Sequence, residues 1–246
     1  MDVVGIIPAR YSSSRFEGKV IADILGKPMI QHVWERAKQA LTLDDLIIAC
    51  DSELVASVAR HFGAKVVMTS KSHVCGTDRI IEVINELDVK VAVNIQADEP
   101  LIHPSMIDTA ARAVLEDKTV SMSTIMKAID EPEIVNDPNV VKVVIDKHNF
   151  ALYFSRSPIP YHAINSQIKL PVYFKHIGLY AYTKDFLFTY KNLPVAYLER
   201  VECLEQLRVL EGGFRIKVIE TKHDTFGVDT PEDLEKVKNY LQTGII

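Results

Sequence analysis

An open, doubly wound α/β sheet, mostly parallel, is the fold this chain predicts, and three observations predict it. Short apolar runs alternate with stretches of helical spacing through the first half of the 246 residues. Val91 to Ile95 is continuously apolar, as a strand covered on both faces must be. The first apolar run, Val3 to Ile7, leads through a polar loop into a helical pattern. Such a strand–loop–helix unit places its loop at the carboxyl edge of the sheet, where open α/β sheets bind ligands.

The elements follow in order. After the strand at Val3 to Ile7 comes a helix over Met29 to Ala40, then a strand over Leu46 to Cys50. Leu54, Val55, Val58 and Phe62 give Glu53 to Phe62 helical spacing, and Gly63 stops that helix before a strand at Lys65 to Met68. Gly76 to Leu87 buries Ile80, Ile81, Val83, Ile84 and Leu87 along one stripe, and Pro104 to Leu115 is a helix with proline in its first turn. The second half changes character. Val140 to Ile145 and Phe150 to Phe154 flank Asp146-Lys147-His148-Asn149 as a hairpin. Residues 157–172 read as a long loop over the sheet. Phe174 to Tyr182 is a strand, Lys184 to Tyr190 a short helix and Val201 to Leu210 another helix. Arg215 to Ile219 returns as a strand, and a helix over Pro231 to Leu241 is capped by Thr230. One domain over 1–246 with an antiparallel insertion at 140–182 is the expected organisation. The hairpin's edges suggest a dimer contact there.

Composition narrows the function. A hydrophobic content of 48% over this length buries a core without disulfide or metal. A net charge of −5 and a pI near 5.9 argue against a nucleic-acid groove, so the anion expected is small. The three cysteines, Cys50, Cys75 and Cys203, form no Cys-x-x-Cys pair, which argues against zinc and a disulfide framework. Cys50 reads as a small buried hydrophobe and Cys75 as a loop residue open to reaction. The opening Met-Asp-Val-Val-Gly lacks a basic region followed by a long apolar stretch, and no membrane span is visible. The expectation is a cytoplasmic protein without a membrane partner.

Residues 7–19, Ile-Pro-Ala-Arg-Tyr-Ser-Ser-Ser-Arg-Phe-Glu-Gly-Lys, crowd Arg10, Arg15 and Lys19 into the first loop. Three cations so close repel one another unless an anion neutralises them, and a triphosphate does so well. Any one of them alone reads as a solvated basic residue. The loop is no Walker A, because Val20 follows Lys19, and no Gly-x-Gly-x-x-Gly run accompanies it, which argues against an NAD-type oxidoreductase. At the same sheet edge lies Gln96-Ala97-Asp98-Glu99-Pro100. A turn is one reading of it, since Asp and Pro favour turns; a magnesium ligand that bridges phosphate oxygens is the other.

These segments, with Gly26-Lys27-Pro28-Met29-Ile30, resemble the nucleotidyltransferases that activate sugars, and within them the 3-deoxy-manno-octulosonate (Kdo) cytidylyltransferases. That family carries Gln-Gly-Asp-Glu-Pro where this chain has Ala97. Its Gly-Val-Asp-Thr-Pro-Glu-Asp-Leu is reproduced unchanged from Gly227 to Leu234. The resemblance implies CMP transfer from CTP to Kdo, for lipopolysaccharide synthesis, with Asp98 and Asp229 holding Mg2+. By itself Asp229 reads as a helix-capping residue. The implied catalytic set is Arg10, Lys19, Asp98 and Asp229. Nucleotide binding falls to Pro8, Ala9, Arg10, Arg15, Lys19, Gly76, Thr77, Arg79 and Gln96. Gly76 and Thr77 belong to Cys75-Gly76-Thr77-Asp78-Arg79, which resembles the family's loop beside the nucleotide. Thr77 is equally a helix cap, and Arg79 has Asp78, Asp98 or phosphate as partners.

On the sugar side, Ala151 to Pro160 matches closely, and Arg156 is set against the sugar carboxylate, which a planar fork suits. His176, Tyr180, Glu205 and Gln206 stand at family positions that hydrogen-bond sugar hydroxyls. A homodimer is implied. This chain departs from the family at Phe16-Glu17, where Leu-Pro is usual, and at Tyr161 to Asn165, where Trp-Asp and basic residues are common. The second departure fits a subgroup that uses 8-amino-8-deoxy-Kdo. A sialic-acid cytidylyltransferase shares the chemistry, and a catalytically silent nucleotide-binding regulator is the reading from another class.

Overall fold

The computed structural model describes residues 1–12, 16–73, 75–163 and 173–243. Strand β1 (Val3–Ala9) is its axis. Val3 and Ile7 face one hydrophobic cluster, Val4 and Ile6 the other, as the two-residue period of a strand requires. A 3-10 turn (Lys19–Ile21) and the small hairpin β2 (Asp23–Ile24) and β3 (Lys27–Pro28) lead into α1 (Met29–Ala37). Then follow β4 (Asp45–Cys50), α2 (Glu53–His61), β5 (Lys65–Met68), α3 (Gly76–Asn85), β6 (Val91–Asn94) and α4 (Pro104–Glu116). Gly63, at φ 83°, ends the α2 segment.

The remaining elements are β7 (Met122–Ile129), α5 (Pro132–Val135), β8 (Lys142–Ile145), β9 (Ala151–Ser155) and β10 (Tyr173–Thr183), then α6 (Lys184–Lys191), α7 (Tyr197–Glu202), α8 (Gln206–Glu211), β11 (Lys217–Glu220) and α9 (Pro231–Thr243). The main sheet runs β11-β7-β10-β6-β1-β4-β5, with β8 attached to β10 and β9 to β8. Along that path only β10 opposes its neighbours. Helices α1, α2 and α4 cover one face, and α3, α6 and α8 the other. The chain leaves β1 for β4 and returns on the other side as β6. This switch point sets the carboxyl ends of β1 and β6 side by side, where such sheets bind ligands.

Three sequence expectations are corrected. Residues 201–210 form no single helix: α7 ends at Glu202, and Cys203, at φ 52°, turns the chain before α8. Strand β7, unassigned from the sequence, pairs with both β10 and β11. Its inward Ser123 and Thr124 break the apolar pattern that would have marked it; Ser123 Oγ donates to the Ala110 carbonyl at 2.7 Å. The single-turn α5 also lay unassigned, being too short to show a period. The hairpin is as expected, with Asp146 Oδ1 accepting from the amides of His148 and Phe150, both at 2.8 Å.

Candidate active site

Lys19 is aimed by its own loop. Gly18 lies at φ 68°, a left-handed conformation that favours glycine, and its amide donates to the Tyr11 carbonyl at 3.0 Å. That bond closes the segment, and the buried Val20 pins the turn that follows. Lys19 Nζ then donates to Asp98 Oδ2 at 2.7 Å and to Asp229 Oδ1 at 3.0 Å. Burial alone would lower the Lys19 pKa, but the two carboxylates outweigh it and hold the ammonium above its ordinary value.

Asp98 follows β6. Its backbone carbonyl accepts from Val228 at 2.9 Å, tying that loop to the approach of α9. A third, small cluster seats α9: Ile24, Met29, Leu101, Val228, Leu234 and Val237. The helix is capped reciprocally, Asp233 donating its amide to Thr230 Oγ1 and its carboxylate accepting from the amides of Asp229 and Thr230. Capping is therefore carried by Thr230 and Asp233, and the Asp229 carboxylate reaches Lys19 instead. Next to Asp98, burial pushes Glu99 up to about 7, against the pull of the Thr225 hydroxyl bonded to its carboxylate.

Around this trio lies a cavity of about 300 Å³, lined by Pro8, Arg10, Lys19, Gly76, Gln96, Asp98, Glu205 and Asp229 among others. Ala9 is fully buried in β1 and lines neither this cavity nor the next. Gly76 opens α3 against Pro8, where a Cβ would stand 3.2 Å from the ring. Thr77 is 4% exposed and is the second residue of α3, two past the cap residue Cys75. Burial pushes the Cys75 thiol up to about 12, so it is no thiolate near neutrality. Arg79 lines this cavity as well, and among protein partners it bonds neither Asp78 nor Asp98. Its guanidinium bonds Asp51 at 2.5 Å, Thr69 Oγ1 at 2.8 Å and the Ser70 carbonyl at 3.1 Å, while Asp51 also accepts from the Tyr11 amide. Arg79 thus braces the ends of β4 and the first loop. Arg15 lies outside the described residues, as do residues 164–172 of the loop at 157–172.

A second cavity of about 240 Å³ adjoins the first and shares Gly76, Gln96 and Glu205 with it. Two devices shape it. The first is a bulge: β10 pairs Ile177 with Ile125 but Tyr180 with Thr124, so Gly178 and Leu179 are extra residues that turn Tyr180 to the cavity. Gln96 Nε2 donates to the Gly178 carbonyl at 3.0 Å. Thr124 Oγ1 lies 2.9 Å from the Leu179 carbonyl and 2.9 Å from His176 Nε2. A carbonyl can only accept, so with the Thr124 proton on Leu179 its lone pairs receive Nε2–H of a neutral His176. The second device is the break between α7 and α8, which brings Glu205 and Gln206 to the wall. Glu199 accepts from Arg208 Nε at 2.8 Å and Nη2 at 2.5 Å, and from the Ala196 amide at 3.1 Å, holding the two short helices in their bend. Burial raises the pKa of the Glu205 carboxyl, which borders both cavities; the Tyr190 hydroxyl donates to it at 3.4 Å.

Two residues expected on the sugar do not line either cavity. His176 stands behind Tyr180, ring centroids 5.4 Å apart, and burial drives its pKa down to about 3. Arg156 donates Nε to the Glu202 carbonyl at 2.8 Å and Nη1 to the Pro138 carbonyl at 2.9 Å. Its amide and Ser155 Oγ bind the Glu202 carboxylate, so Arg156 clamps the end of α7 to β9. Conversely, Asn94, Met122, Tyr182 and Tyr190 line the second cavity and were not singled out from the sequence. The glycine inside a strand pattern at 178 was the available signal for the bulge.

The His176 environment predicts a pH effect. The unfolded chain takes a proton below the ordinary value of 6.5, whereas native His176 resists it until about 3. Stability from this residue is therefore present above pH 6.5 and drains away as the pH falls toward 3. Denaturant midpoints measured through that window should decline, and His176→Gln should remove part of the slope; an unchanged slope in the variant would discard the assignment.

Fold and joined cavities define a nucleotidyltransferase. A family model described as Cytidylyltransferase matches residues 4–219. The 3-deoxy-manno-octulosonate cytidylyltransferase of Solibacter usitatus is 51% identical over 244 residues, 99% of this chain and 96% of that protein. The enzyme of the same name from Geotalea uraniireducens is 49% identical over 98% of this chain and 100% of its own. A solved CMP:2-keto-3-deoxy-manno-octonic acid synthetase complexed with CTP matches with a TM-score of 0.93 at 41% identity, over 100% of both chains. The chain belongs to the cytidylyltransferase family, with the 3-deoxy-manno-octulosonate cytidylyltransferases.

Proposed function

We propose that this chain transfers CMP from CTP to the anomeric hydroxyl of Kdo and releases pyrophosphate. The observation that carries the reading is the junction of two cavities across Gly76, Gln96 and Glu205, with cations and paired carboxylates in the first and tyrosines, Asn94 and Gln206 in the second. CTP occupies the cavity of Arg10, Lys19 and Asp98; the sugar acid occupies that of Tyr180, Glu205 and Gln206. The acceptor oxygen bonds the α-phosphorus, the bond from that phosphorus to the bridging oxygen breaks, and the hydroxyl proton leaves to water.

Magnesium fits the donors present. Asp98 and Asp229 converge on one cationic atom, as two hard oxygen donors do for a divalent ion. Among the described residues no cluster of three potential ligands exists. One or two carboxylates completed by substrate phosphates is the usual way proteins hold Mg2+. When bound, the ion supplies charge neutralisation across the phosphates. The protein's own part is positioning and electrostatics: Arg10 and Lys19 face the charge that grows on the leaving pyrophosphate, and Gln96 fixes the bulge that orients the sugar wall.

No helix among the described residues is long and apolar enough to cross a membrane. We place the reaction in the cytoplasm, where CTP is available, upstream of lipopolysaccharide assembly. A homodimer is supported by Leu152, Tyr197 and Val201, exposed at 62%, 71% and 61% on β9 and α7. Pyrophosphate release with CTP and magnesium tests the proposal on Kdo, its 8-amino analogue and N-acetylneuraminate. Turnover chiefly with Kdo is expected. Preference for the amino sugar would reassign the substrate, and silence on all three while CTP still binds would favour a regulatory role.

A further inference from the structure

The ammonium of Lys19 stands where the Asp98 and Asp229 carboxylates converge, 2.7 and 3.0 Å from them, on a side chain only 12% exposed. One position cannot hold an ammonium and a divalent ion together, because they repel and compete for the same lone pairs. A metal arriving alone would have to displace a paired ammonium. It would receive in return only two protein carboxylates, since no third candidate ligand joins them among the described residues. A nucleoside triphosphate changes both sides of that balance. Its phosphate oxygens complete the coordination, and they offer the displaced ammonium new partners. Arg10, on the same wall, is held by no hydrogen bond or ion pair among the described residues and is ready for the same anion.

We propose that Lys19 is a placeholder: it keeps Asp98 and Asp229 together in the nucleotide-free protein, excludes a lone divalent ion, and yields the position when a nucleoside triphosphate arrives. The inference rests on Asp98 and Asp229 being the metal pair. It makes Lys19 a positioning residue for metal entry besides its contact with phosphate. It also makes metal and nucleotide binding mutually dependent, each strengthening the other by the same factor. The closed loop at Gly18 and the buried Val20 leave the Lys19 backbone fixed, so the exchange is a side-chain movement over a few ångströms.

Mn2+ binding to the full chain, followed by electron paramagnetic resonance without nucleotide, reads the exclusion directly. Weak binding is expected for the native protein, and binding tighter by about tenfold for Lys19→Gln, the scale of ordinary coupling between sites. Lys19→Arg, which keeps a cation, should stay weak. Adding Asp98→Asn to the Gln variant should abolish the gained site. Lys19→Met serves the same comparison if thermal melting shows the Gln variant unfolded. Equal Mn2+ affinity in native and neutral variants overturns the placeholder, as does a tight site that survives Asp98→Asn. The metal reading is tested apart from it, on native protein with Mn2+ and CTP, by water-proton relaxation. A ternary complex sustains that reading, and its absence removes the premise whatever Lys19 does.

Discussion

Asp98→Asn is expected to slow pyrophosphate release by about a thousandfold at saturating CTP, Kdo and magnesium, the loss that follows when a principal stabiliser of phosphoryl charge is removed. The substitution is nearly isosteric and the side chain is 31% exposed, so packing is undisturbed. Lys19 keeps Asp229 as its partner at 3.0 Å, and the tie from Val228 to the backbone carbonyl of residue 98 does not involve the side chain. The melting temperature should accordingly stay within about 2 °C of the native value. Turnover within a few-fold of native would remove Asp98 from the chemistry. A large drop in melting temperature would show that its carboxylate serves the fold.

Arg208→Met should have the largest effect on stability and should reach the sugar site from a distance. Glu199 and Arg208 are exposed at only 10% and 17% as side chains. Burial would raise the Glu199 pKa, but the bonds from Arg208 and the Ala196 amide hold it below its ordinary value. Methionine keeps most of the volume and leaves that carboxylate uncompensated, which costs about 3 kcal/mol. In a chain of this size that lowers the melting temperature by about 6–12 °C. Because the pair fixes the bend that presents Glu205 and Gln206, the KM for the sugar acid should rise more than the KM for CTP. Unchanged melting would show that the pair is dispensable. Equal rises in both KM values would show that the bend does not serve the sugar cavity.

Much of the fold was legible because its inner strands are buried on both faces: Val3 to Ile7, Leu46 to Cys50 and Val91 to Ile95 are apolar runs with turn signals between them. What stayed hidden depends on contacts distant in sequence. β7 carries Ser123 and Thr124 inward, each bonded to another element, so its hydropathy does not look like a core strand. Nothing at 203–205 resembles a helix breaker. The bend arises from Glu199 with Arg208 and from Glu202 pulled onto β9. Arg79 found Asp51, 28 positions away, where neighbours in sequence had seemed nearer. The convergence of Lys19 with Asp98 and Asp229 spans 79 and 210 positions, so it was visible only through shared motifs and never through local pattern.

The seating of α9 on its own small cluster has a consequence for how the enzyme fails. Asp98 follows the central strand β6, whose residues Val91, Ala92 and Val93 belong to the two large clusters, whereas Asp229 is carried by a cluster of six buried side chains. Small cooperative units open more readily than the body they rest on. Half of the acidic pair can thus leave with α9 while the sheet remains folded, and heat or mild denaturant will silence the catalyst before spectroscopy registers any melting.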